Sequence, residues 1–100
     1  MKVHIGSTKY ELNTPKRVFV DEDLCKGTLD ESMSIIEISK EFPLQSRKQT
    51  LWHEVVHGIL YELGEHELTN DEGFVDSLSR QLYAFNENNK LDKIYEKLSD

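Results

Sequence analysis

The segment from Thr50 to Leu60, TLWHEVVHGIL, constrains this chain more than any other. With the residues that follow, its apolar positions Leu51, Trp52, Val55, Val56, Ile59, Leu60 and Leu63 recur at helical period, which predicts an amphipathic helix with one face in a core. Ser46 with Gln49 has the capping-box pattern and marks the predicted start, and Gly64 is placed to end the helix at C′. Into this helix the sequence sets His53, Glu54 and His57, groups that a core does not accept without partners. At about 100° per residue the two histidines fall together just past one edge of the apolar stripe, one turn apart. Glu54 lies farther round, on the side of Tyr61.

Two imidazoles so placed converge on one point beside the core, as a tetrahedral zinc requires of two nitrogen ligands. The glutamate between them can reach a water at the metal without being a ligand itself. A lone histidine at a core boundary is more often simply satisfied by its neighbours. The whole HExxH pattern, however, arises by chance in a chain this short only about a few times in a thousand.

A catalytic zinc needs a third protein ligand and an open position. The extended pattern with a glycine and a third histidine is excluded, because Leu60 and Leu63 occupy those places. His66 follows in a short connection, GEHELTN, and a second helix is predicted from near Asn70 with Phe74, Val75, Leu78, Leu82 and Phe85 as its apolar face. Along the edge of that face run Glu72, Asp76, Ser79 and Tyr83, a ridge that can meet the histidine edge when the helices pack. Glu72 is the better third ligand, although Thr69-x-x-Glu72 is also a capping box. Asp76, one turn on, can accept a hydrogen bond from the outer nitrogen of a ligand histidine.

The first half of the chain predicts strands. VHI and KYEL flank GST as a hairpin, RVFV after Pro15 is a third strand, DEDLCKGTLDES is a polar connection, and MSIIEIS is a strand of β-branched residues. After the second helix NENN is a break, and KLDKIYEKL is a last amphipathic helix through Leu91, Ile94, Tyr95 and Leu98. Strands first and helices after predict an α+β fold, helices packed on one face of a small antiparallel sheet.

With 100 residues there is room for one domain, residues 1–100, and one core. A composition 37% hydrophobic and 31% charged is that of a globular protein. The formal net charge of −7 disfavours nucleic-acid binding, and lysines and arginines are scattered rather than gathered in a patch. No apolar run reaches membrane-spanning length and the first residues lack a signal-peptide core, so a cytoplasmic location is expected. Cys25, without an intrachain partner, is expected to be a free, semi-buried thiol.

TLWHEVVHGIL, followed by an acidic residue opening a helix in NDEGFVDSLSRQLYAFNENN, resembles the small zinc metallopeptidases of phages and mobile elements related to the ImmA/IrrE group. The hairpin KVHIGSTKYEL, then LCKGTLD and MSIIEIS, agree with the resemblance, which covers about Lys2 to Asn89. It implies a minimal gluzincin-like zincin fold, zinc on His53, His57 and Glu72, and Glu54 as general base. It further implies that MSIIEIS is an edge strand for an extended substrate, and that the substrate is a repressor-like protein. Tyr61, His66 and Tyr83 are the candidates for stabilising an oxyanion. The interval from His57 to Glu72 is short for the family.

Metal-assisted hydrolysis of a peptide bond is thus the expected activity. Two rivals stand beside it: a zinc-stabilised module that binds a protein without cutting it, and a metal-free α+β interaction domain. The intact Glu54 weighs against the first, since a structural site needs no base and is usually closed by a fourth ligand.

Overall fold

A computed structural model describes residues 1–100. The chain opens with a hairpin of β1 (Lys2–Ile5) and β2 (Thr8–Asn13). Its two-residue turn puts Gly6 at φ +58°, a left-handed conformation that glycine adopts without strain. A second, separate hairpin joins β3 (Val18–Val20) to β4 (Asp23–Cys25). The strands β5 (Gly27–Asp30) and β6 (Ile35–Ile38) follow, then α1 (Leu44–Glu62), α2 (His66–Thr69), α3 (Glu72–Asn88) and α4 (Leu91–Leu98).

The fold is α+β, as expected, but the sheet is mixed rather than antiparallel. Its order is β1-β2-β6-β5, and β6 runs parallel to β2 because the long connection through β3, β4 and β5 carries the chain back before it enters the sheet. This corrects a second expectation. MSIIEIS is not an edge strand: β6 is paired on both sides, and the edge beside it is β5. The polar stretch DEDLCKGTLDES therefore contains β4 and β5 instead of being a plain connection. Its hairpin turn, Asp21 (φ 49°) and Glu22 (φ 74°), uses non-glycine residues in the left-handed region and so lacks the usual turn signature.

Helix α1 lies between the sheet and α3. Toward the sheet, Leu51 and Val55 pack on Ile5, Tyr10, Ile36 and Ile38. Toward α3, Val56 and Leu60 meet Val75, with Leu68 and Leu82 around them. The apolar stripe of α1 is thus shared between two layers, and its outer members Ile59 and Leu63 remain exposed.

The helix begins earlier than the capping box predicts: Pro43 is its N-cap, no side chain caps it, and Ser46 and Gln49 lie inside the first turns. Proline supplies a fixed φ at the entry. The far end is as expected. Gly64 takes φ +73°, its N–H donates to the Tyr61 carbonyl (3.0 Å), and the Glu65 N–H donates to that of Leu60 (2.9 Å), a Schellman ending. Helix α3 continues through the predicted break to Asn88. Helix α4 buries none of its residues, so it is not part of the layer over the sheet. Cys25 is free and half-buried, its Sγ 3.4 Å from the Asp23 carbonyl.

Candidate metal centre

Helix α1 supplies His53 and His57 one turn apart, with ring centroids 5.0 Å from each other. The chain turns at Gly64, makes the single turn of α2, and starts α3 with Glu72 facing them. Glu72 Oε2 lies 3.1 Å from His53 Nε2, and Oε1 lies 3.3 Å from His57 Nε2. One ligand atom from each of the three residues lies within 4.8 Å of the other two, a group that could hold a metal ion. Two imidazole nitrogens and a carboxylate oxygen are a donor set that suits zinc.

The competing role for Glu72 disappears in the structure. Asp71 is the N-cap of α3, its carboxylate accepting from the Phe74 N–H at 3.1 Å, whereas Thr69 sits in α2 and caps nothing there. Glu72 is the first helical residue, a position where the helix dipole favours a carboxylate and no capping geometry claims its side chain. The short interval after His57 suffices because the Schellman turn and α2 consume it compactly.

His57 is held from behind, and a carboxylate stands behind His53. The buried Thr69 hydroxyl stands 2.8 Å from His57 Nδ1; accepting that N–H, it leaves the Nε2 lone pair directed at Glu72. Asp76 Oδ1 is 3.7 Å from His53 Nδ1, and its other oxygen takes a 2.8 Å ion pair from Arg80. Burial, partly offset by the Glu72 charge, lowers the pKa of His57 and favours the neutral imidazole that a metal requires.

Glu54 is the least ordinary residue of the site. It is only 7% exposed, and burial followed by the charge of Glu72 pushes its carboxyl up to about 7. Desolvation and the Glu72 charge are the causes of that shift, with no hydrogen-bond donor among them, and the carboxylate opens on a cavity of about 350 Å³ that reaches solvent. None of the residues lining that cavity is hydrophobic, although the aliphatic parts of their side chains form part of its wall. Helix α1 gives it Ser46, Gln49, Thr50 and His53, α3 gives Asp76, Ser79 and Arg80, and the start of β5 gives Gly27 with Lys26 before it.

The expected oxyanion candidates lie elsewhere. Tyr61 stacks edge-on with His66 at 6.5 Å, and the Tyr83 hydroxyl donates to Glu87 at 3.5 Å; none of the three lines the cavity of Glu54. Arg80 and Lys26 are its cations, and sequence reasoning passed over both. Arg80 was findable, since it continues the Glu72, Asp76 ridge by another turn of α3. Thr69 and Lys26 come to the site from α2 and the sheet, for which no local pattern exists.

Comparison with protein-family models, with curated proteins and with solved structures finds no match to this chain.

Proposed function

We propose that this chain is a zinc-dependent metallopeptidase, holding one zinc ion on His53, His57 and Glu72 and hydrolysing a peptide bond with Glu54 as general base. The observation that carries the reading is Glu54 itself. A buried carboxylate without a protein partner costs stability, and a site that only bound metal would not need it. Zinc, when bound, supplies the Lewis acidity that polarises the scissile carbonyl and acidifies the attacking water.

The residues of the chain do the remaining work. Glu54, mostly buried beside the three ligands, takes the proton of that water and delivers it to the leaving nitrogen. Thr69 fixes the orientation of His57, and Asp76 sets a negative charge behind His53. The edge strand β5 begins at Gly27, which lines the same cavity, so an extended segment of substrate can add to the sheet there. The substrate class is a protein, and the resemblance to phage and mobile-element peptidases favours a repressor-like one acting in the cytoplasm. No helix is long and apolar enough to cross a membrane.

A zinc-stabilised binding module is the rival reading, and metal content followed by proteomics separates the two. Purified protein should contain one zinc per chain, and His53→Ala should lose it; equal metal in both would remove the site. Cells expressing wild type should lose a protein that cells expressing Glu54→Gln retain intact. Full biological effect from Glu54→Gln would replace the hydrolase with the binding module.

A further inference from the structure

Strand β5 lines two cavities in succession. Gly27 lines the one on which Glu54 opens, and Thr28, Leu29 and Asp30 line a second, a groove of about 660 Å³. Phe19, Val20 and Asp21 of the β3–β4 hairpin line the same groove, with Phe19 60% exposed. The edge of β5 away from β6 is paired with no strand. The Ser39 N–H donates to the Lys26 carbonyl at 2.8 Å, continuing the register of Gly27 with Ile38. By the alternation of an antiparallel ladder, the backbone groups of Thr28 and Asp30 then turn to β6, and those of Gly27 and Leu29 turn outward.

The register also sorts side chains between the two faces of the sheet. Thr28 stands opposite Glu37, and Asp30 opposite Ile35, on the face away from α1. Leu29, opposite the buried Ile36, lies on the face that packs on α1, where Tyr61 also lines the groove. The carboxylates of the groove are Asp21, Asp30, Glu31 and Glu37, and no lysine, arginine or histidine lines it. Hydrogen bonds from the Ser32 hydroxyl (2.7 Å) and the Met33 N–H (3.1 Å) hold Asp30 in its charged form.

We propose that this groove docks an extended protein segment in which basic residues alternate with apolar ones, paired along the free edge of β5. A strand added there turns successive side chains to opposite faces, one set toward Asp30 and Glu37 and the other toward Leu29 and Tyr61. The alternation thus matches the charge of one face and the apolar character of the other. On the peptidase reading, on which its role as substrate rests, this segment continues from the metal centre. Gly27 to Asp30 spans about 10 Å at about 3.3 Å per residue, so the pattern begins within about three residues of the scissile bond.

The full chain carrying Glu54→Gln, titrated against fluorescein-labelled heptapeptides and followed by anisotropy, tests docking apart from cleavage. A peptide of alternating lysine and valine should bind with a dissociation constant on the order of 100 μM. Alternating glutamate and valine should bind more than about tenfold more weakly. So should the same lysines and valines with the lysines grouped together, which separates pattern from attraction to the net charge of −7. The alternating lysine peptide N-methylated throughout should not bind, because it has no N–H to give the ladder. Glu31→Lys with Glu37→Lys should weaken the lysine peptide more than about tenfold and strengthen the glutamate peptide. Wild type loaded with zinc should cut the alternating lysine peptide in preference to the glutamate one. Docking of this pattern by a wild type that cuts nothing would uphold the groove and remove the peptidase. Binding equal across the peptides, binding untouched by N-methylation, or cleavage that ignores the lysines would overturn the groove.

Discussion

Replacing Glu54 with glutamine in metal-free protein removes one ionisable group and keeps its shape. Because burial and the Glu72 charge raise the Glu54 carboxyl from 4.5 to about 7, the native state still binds a proton in that interval when the unfolded chain has released it. Stability contributed by the protonated form is complete below the unfolded value and is lost as pH rises through the folded one. The interval of about 2.5 pH units, at about 1.4 kcal/mol for each, amounts to about 3 kcal/mol. Urea unfolding in the presence of a chelator, from about pH 4 to about pH 8, gives the difference between variant and wild type. Near pH 4 the two should be equally stable; by about pH 8 Glu54→Gln should be the more stable by about 3 kcal/mol. Every other ionisable group is common to both proteins, so its contribution largely cancels. Zinc should narrow the gap, because a cation beside Glu54 favours its charged form. A difference that stays constant across the range would refute the assignment of Glu54 as a desolvated, unpaired carboxyl.

Glu72→Ala should weaken zinc binding by more than about tenfold in a chelator competition, while His66→Ala leaves it nearly unchanged; the opposite ranking would move the third ligand into α2. Thr69→Val keeps the buried volume but removes the acceptor at His57 Nδ1, and should cost about 10- to 100-fold in zinc affinity with the fold retained, read by the same competition. Gly27→Ala should destabilise by about 1–3 kcal/mol in urea, because its methyl would lie 2.8 Å from the Glu37 carbonyl oxygen and 2.7 Å from Thr50 Cγ2. Unchanged stability in that variant would show that β5 yields without cost.

Several features are legible in the sequence alone. The Schellman glycine at Gly64, the Gly6-Ser7 hairpin turn and the convergence of His53 with His57 each depend on residues close in the chain and on fixed helical or turn geometry. The start of α1 was misplaced because a capping-box pattern competes with any neighbouring residue that can open a helix, and Pro43 opens this one. The strand order was hidden for a different reason. A short strand such as β6 has the same alternation whether it is central or at an edge, and only its pairing with both β2 and β5 distinguishes the two.

The sequence by itself determined which side chains share a helix face, and so brought His53 and His57 together and set Glu72, Asp76, Ser79 and Tyr83 on one ridge. Periodicity fixes angles within an element and nothing between elements. Only the tertiary structure decided that the ridge faces the histidines, that Thr69 backs His57, and that the mostly buried Glu54 opens on a cavity between α1, α3 and β5. These depend on how α1, α3 and β5 pack, and it is that packing, through desolvation and the nearby charge of Glu72, that raises the Glu54 carboxyl to about 7.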